Sequence, residues 1–294
     1  MPNVKLSNLL HLHFIVFIWG FTAILGELIS IKATPLVWFR MSIASLFILA
    51  YILYKKLSLK ITFKQVVHYL IGGVIIAVHW ITFFYAIKIS NVSIALATMS
   101  TGAFFTVFIE AIIKKRRIKT LEFIFGIMAI IGLFIIYSSA ISLQWGILFA
   151  LVSSFLSALF SVLNADFVKQ EHPAVISFYE ILFGVIAVSL YLFYEGKIFD
   201  PTFFQLQLTD WLWLLVLSSI CTAYAFIASV DLLKVLTPFT VMLTINLEPI
   251  YAIVLAFLIL NESMPPLFYA GAILILTTVV ANGFLKMKKN KNKG

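Results

Sequence analysis

In a chain of 294 residues, 63 % are hydrophobic and only 11 % are charged. A soluble domain carries about one quarter charged residues, so this chain has too little polar surface to cover its apolar bulk, and its formal charge of +9 falls mostly in short basic clusters. The single cysteine, Cys221, excludes a disulfide framework and a Cys-based zinc site.

Taken in order, the apolar runs and their breaks predict about ten membrane-spanning helices of about 20 residues each. They cover residues 9–29, 36–54, 67–87, 93–113, 121–138, 144–165, 174–194, 211–229, 238–259 and 266–285. The breaks are short, such as Lys-Ala-Thr-Pro at 32–35 and Asn-Glu-Ser-Met-Pro-Pro at 261–266. None holds a soluble domain, and the absence of period-2 alternation argues against a β-barrel. The first run could be mistaken for a secretion signal, but it is long and ends in Gly-Glu-Leu-Ile-Ser rather than a small-x-small site, so it reads as a helix. The fold class is therefore all-α, integral to the membrane.

Lysine and arginine set the orientation. With the N-terminus in the cytoplasm, the inner loops hold Lys5; Lys55, Lys56, Lys60 and Lys64; Lys114, Lys115, Arg116, Arg117 and Lys119; Lys169; Lys234; and five tail lysines, 17 in all. The outer loops hold only Lys32, Lys88 and Lys197. Both termini are thus expected on the cytoplasmic side of a bacterial inner membrane. The run Lys-Lys-Arg-Arg-Ile-Lys reads as a topology signal beside anionic lipid, and no nucleic-acid partner is expected.

The chain repeats itself. At an offset of 145 residues, 79–137 overlays 224–282, with apolar runs on apolar runs and Gly126 on Gly271. Upstream, Pro35 matches Pro173 at a slightly shorter offset. The halves, 1–140 and 141–294, have about five spans each. Five is odd, so the second half enters the membrane from the opposite face, giving two inverted five-helix repeats. The loop after the fourth helix of each half agrees: Lys-Lys-Arg-Arg-Ile-Lys in the first and Leu-Ile-Leu-Asn-Glu-Ser in the second.

Ten spans as five plus five, Trp19-Gly20 in the first helix, Phe-Phe-Tyr-Ala-Ile-Lys at 83–88 and Leu-Glu-Pro-Ile-Tyr…Asn-Glu at 247–262 resemble the drug/metabolite transporter superfamily, EamA type. The resemblance spans nearly the whole chain. It implies a carrier for small metabolites such as amino acids, with export or exchange as the direction. Members often carry proline in the fourth helix and an acidic residue after it. Here the matched positions are Phe104 and the basic run, which predicts a straighter fourth helix.

Ionisable residues inside spans are costly and mark functional sites. Arg40, Glu27, Glu110 and Asn164 lie near span ends and are expected at the interface. Glu180 is deeper, about 9 Å from its end by helix rise. Glu248 is deepest, about 15 Å in and near the midplane. Pro249 follows it and removes an amide donor, which is tolerated where neighbours or a hydrated cavity satisfy the backbone. Thr244, Glu248 and Tyr251 share one helix face. The offset pairs His79 with Tyr224 and Thr101 with Asn246, all near mid-span. The candidate substrate site is Glu248, Asn246, Thr244, Thr101, His79, Trp80, Tyr85 and Tyr224. The serines Ser153, Ser157 and Ser161 predict close helix packing.

The expected function is secondary transport of a small organic solute, amino-acid-like or drug-like, by alternating access between the halves. Glu248 could carry a coupling proton or serve as a fixed partner for the substrate. The alternative, a membrane-embedded enzyme acting on a lipid-linked or small apolar substrate, would need paired carboxylates or a metal cluster at an interface. No cofactor or metal is expected, no phosphate-cradling glycine loop is present, and the oligomeric state is open.

Overall fold

A computed structural model describes residues 6–113, 115, 117–118, 120–167, 171–232, 235–236, 244 and 247–291. Among these there are helices and turns but no strands. The helices are α1 (Leu6–Leu28), α2 (Ala33–Tyr54), α3 (Phe63–Ile89), α4 (Val92–Met99), α5 (Gly102–Ile113), α6 (Thr120–Ser139), α7 (Gln144–Phe167), α8 (Pro173–Tyr194), α9 (Leu208–Ser218), α10 (Ala225–Leu232), α11 (Glu248–Leu260) and α12 (Pro266–Lys291). A π-helical turn, Ser219–Tyr224, joins α9 to α10. Counted as spans, α4–α5 are one and α9–α10 are one. Eight spans are long and apolar enough to cross a bilayer, and two shorter apolar helices, Glu248–Leu260 and Pro266–Thr278, follow.

Local chemistry sets the ends. Thr62 and Gln65 close a reciprocal capping box on α3. The Asn91 side chain caps α4 by accepting from the Ile94 N–H. Proline occupies the first turn of α8 and of α11, where a missing amide costs nothing.

The fourth span is not straight, contrary to the expectation drawn from Phe104. It breaks at Ser100–Thr101, between α4 and α5. Hydroxyls do the work of the missing proline. Ser100 Oγ donates to the Leu96 carbonyl at 3.3 Å and Thr101 Oγ1 to the Thr98 carbonyl at 2.7 Å. Such back-bonding competes with the helical ladder and bends it. The backbone tightens to a three-residue step there, Thr101 N–H to Thr98 carbonyl at 3.0 Å. A similar step, Leu247 N–H to Thr244 carbonyl at 3.0 Å, precedes α11. Phe104 packs over Gly126 instead of shaping the break.

The packing is symmetric under exchange of halves. Helix α1 lies on α11, as α7 lies on α4 and α5; α3 lies on α8, as α9 and the π turn lie on α2; α3 lies on α7, as α9 and α10 lie on α1. The pairs α2–α8, α4–α11 and α6–α12 map onto themselves. Gly20 shows why Trp19-Gly20 occurs where it does. A Cβ there would stand 3.1 Å from Tyr251 Cβ and 3.3 Å from the Glu248 carbonyl, so glycine lets α1 approach α11 this closely without crowding.

At the end of the bundle away from the N-terminus, carboxylates tie the halves together. Asp210 accepts from Ser30 N–H at 2.8 Å and from Ser30 Oγ at 2.5 Å. Glu262 accepts from Val92 N–H and Ser93 N–H, both at 2.9 Å, and from Ser93 Oγ at 2.7 Å. Asn261, with φ of 54°, turns the chain out of α11 just before Glu262.

Candidate functional site

Arg40 lies inside the bundle, not at an interface. Its span begins at Ala33, three residues earlier than the sequence suggested, which puts Arg40 roughly 10 Å into the helix. The residue is 3 % exposed. Its guanidinium lies 3.9 Å from the centroid of the Trp80 ring and 5.5 Å from that of Phe84, a cation–π arrangement. Nε donates to Thr222 Oγ1 at 2.8 Å, and that hydroxyl donates in turn to the Leu217 carbonyl at 2.7 Å. The second bond spans five residues and lies across the π turn, the kind of local rearrangement that often marks a functional position. Nη1 is buried with no hydrogen-bond partner among the described residues.

Glu248 opens α11 beside Pro249. It is surrounded by protein yet keeps some accessible surface, as a side chain lining an internal space does. It is within electrostatic reach of Arg40, as is His79. The arrangement is a guanidinium on an aromatic platform and a carboxyl group at the start of a helix, with no direct ion pair between them among the described residues. Such a site can accept a molecule with complementary polar ends.

The other predicted residues divide. Trp80 is buried under Arg40 and meets Phe226 edge-on. His79 is buried, and α7 holds it: Ser153 Oγ lies 2.8 Å from Nδ1 and donates to the His79 carbonyl at 2.9 Å. Thr101 is buried at the break and meets Ser154 Oγ at 3.1 Å. Ser154 in turn donates to the Met99 carbonyl at 3.1 Å. The adjacent serines of α7 thus hold His79 and the interrupted span together. Thr244 is buried and has contacts of its own. Tyr85 and Tyr224 are each 42 % exposed and stand apart from this group. Tyr85 packs edge-on against Phe149 in a lateral cleft of 390 Å³ that holds no charged side chain. Tyr224 meets His11 Nε2 at 2.6 Å on α1. Asn246 lies outside the described residues.

Sequence reasoning missed Arg40. The signal was present, since it is the one basic residue placed within a predicted span, but counting from the wrong helix start made it look peripheral.

The fold and this site define a polytopic helical membrane protein with polar groups held in its interior. A sequence model of the EamA-like transporter family matches residues 8–138 and again 144–284. The chain belongs to the EamA-like transporter family and is a membrane transporter. It is similar to a protein of Clostridium kluyveri named as an uncharacterized transporter, 27 % identical over 217 residues, which cover 71 % of this chain and 69 % of that protein. A solved structure, titled only as the crystal structure of a protein, shares the fold. Its TM-score is 0.67 at 17 % identity, over 95 % of this chain and 97 % of that one.

Proposed function

We propose that the protein is a secondary carrier that exports a small organic metabolite, amino-acid-like or drug-like, by alternating access between two inverted halves, with both termini in the cytoplasm. The observation that carries this reading is Arg40, a buried guanidinium whose Nη1 has no hydrogen-bond partner among the described residues, within electrostatic reach of Glu248 at the start of α11. An isolated charge in a low-dielectric interior is costly unless something pairs with it. A solute with an anionic end supplies the partner for Arg40, and a cationic or donor end supplies one for Glu248. The wall is aromatic, from Trp80, Phe84 and Phe226, which suits the apolar body of such a solute.

Alternating access needs a barrier at each end, and the Asp210–Ser30 and Glu262–Ser93 contacts supply the outer one. The protein in liposomes, loaded in turn with amino acids and cationic drugs, tests the reading by counterflow of labelled solute. Solute-specific exchange that Arg40→Met abolishes supports it. Absence of exchange across the whole panel, with correctly folded protein, counts against it.

A further inference from the structure

Another buried acid, Glu180, lies between α8, α3 and α7. We propose that Glu180 is a proton-binding site separate from Arg40 and Glu248, and that its protonation holds α3 and α8, which come from opposite halves, in contact.

Glu180 is 1 % exposed, and both carboxyl oxygens are buried with no hydrogen-bond partner among the described residues. The amide of Asn164 on α7 is close enough to interact but outside hydrogen-bond geometry, and its Nδ2 is buried and unbonded too. An ionised carboxylate so placed lacks solvent and, among the described residues, has no donor in hydrogen-bond geometry, and such a group takes up a proton instead. A metal ion fits poorly. Hard cations need six or more oxygens, and no cluster of three acidic, His or Cys side chains is placed to hold one among the described residues. The site is also tight, because a Cβ on Gly72 would stand 2.5 Å from Glu180 Oε1.

The same seam brings two backbones close together, and a Cβ at Gly73 would stand 2.3 Å from the Glu180 carbonyl. A Cβ at Gly73 would stand 2.9 Å from Gly184 N, and one at Gly184 would stand 2.9 Å from the Gly73 carbonyl. The carboxyl therefore lies directly on the α3 backbone and reaches water only when α8 moves off it. Ionisation and separation of the helices are one event. Only an O–H bond is made or broken, and water at that end of the bundle gives and takes the proton. Glu180 is seven residues into α8, roughly 10 Å by helix rise. That end of the bundle is the one where Tyr179 donates to the Leu59 carbonyl at 2.6 Å.

The symmetric seam lacks this device. The offset of 145 carries Gly73 to Ser218, and the offset that joins Pro35 with Pro173 carries Glu180 back to Ser42. Neither serine ionises, so one seam of the two is proton-sensitive.

Other titratable groups near Glu180 are few. From α3 it has Tyr69, which also feels Glu171 at the start of α8. His68 on α3 and Asp231 on α10 have contacts of their own. Arg40 on α2 is directed to Trp80 and Thr222, and Lys197 beyond α8 pairs with Glu195.

The test uses the full chain in liposomes, with Cys221→Ala, and spin labels on Lys64→Cys and Glu171→Cys. Electron–electron distance distributions are recorded from acid to alkaline pH, with the proton as the only ligand. The expected result is a longer α3–α8 distance at alkaline pH, lost in Glu180→Gln, which stays closed throughout. Glu180→Asp should keep the transition with a shifted midpoint, and it carries the test should Glu180→Gln not fold. A pH-independent distance in the parent, or the same transition in Glu180→Gln, overturns the proposal. No solute enters this experiment, so its failure is separate from failure of the counterflow assay.

Discussion

The guanidinium of Arg40 lies 3.9 Å over the Trp80 ring while its Nε donates to Thr222 on a helix from the other half. One side chain thus joins α2, α3 and the π turn, and the arrangement depends on a flat cation. Lysine has the charge but neither the plane nor the fork of donors. Arg40→Lys should therefore weaken solute binding about tenfold, the effect of roughly 1–2 kcal/mol of lost stacking and hydrogen bonding. Counterflow half-saturation measures it. An unchanged value would show that charge alone suffices.

Glu248→Gln keeps the shape and removes the charge. Transport should fall strongly, while stability in detergent should hold or rise, because a buried ionisable group has gone. Glu110→Gln, near a span end, is the control and should change little. Normal transport by Glu248→Gln would reduce Glu248 to a structural acid beside the Pro249 start of α11, and the site would then be sought around Arg40, Trp80 and His79.

Much of this architecture was legible because the bilayer imposes simple rules. Apolar runs gave the ten spans, since every backbone group in lipid must bond within a helix. The acid of the 238–259 run was readable because Glu248 and Pro249 interrupt an apolar stretch, although α11 itself begins at Glu248 and carries Pro249 in its first turn. The depth of Arg40 was not, because Pro35 tempted the span to begin after it, whereas the helix begins at Ala33 and carries Pro35 in its first turn. The break at Thr101 was hidden for a related reason: hydroxyl back-bonding is a property of geometry, and Ser-Thr reads as ordinary small residues. Tyr224 was placed by repeat position, which fixes depth in the membrane but not the direction a side chain faces around its helix, and Tyr85 was placed as an aromatic neighbour of Trp80, which fixes that direction no better.

Gly20 should tolerate no large side chain. Gly20→Leu would drive its branches into Tyr251 and the α11 backbone, where even a Cβ stands at 3.1 Å. Overpacking of this kind costs about 1–3 kcal/mol. The expected outcome is a lower midpoint of thermal unfolding, read by loss of the monodisperse peak on size-exclusion chromatography. A variant as stable as the parent would mean that α1 moves away from α11 at little cost.

A reporter active only outside the cytoplasm, fused after Gly294, should give no signal, because 17 basic residues fall in the loops assigned inside and 3 in those assigned outside. A companion fusion at Lys197 should be active. The reverse pattern would invert every statement about inner and outer barriers.

The outer barrier proposed above is testable through Glu262. Its carboxylate accepts three hydrogen bonds at the start of α4, two of them from backbone amides that no helical carbonyl can satisfy. A negative charge at a helix N-terminus also complements the dipole. Removing such a cap costs about 1–2 kcal/mol, and here the cost falls on the outer-closed state, since the bond crosses between halves. Glu262→Ala should therefore shift the population toward outward-open by about tenfold, each 1.4 kcal/mol being a factor of ten. Thr101→Cys, in a background with Cys221→Ala, reports it: Thr101 is buried at the break between α4 and α5. Its reaction with a small impermeant thiol reagent added outside should be slow in the parent and about tenfold faster with Glu262→Ala. If both react at the same rate, the Glu262 contact is an ordinary helix cap and the barrier at that end lies deeper, among the residues that pack α4 on α11.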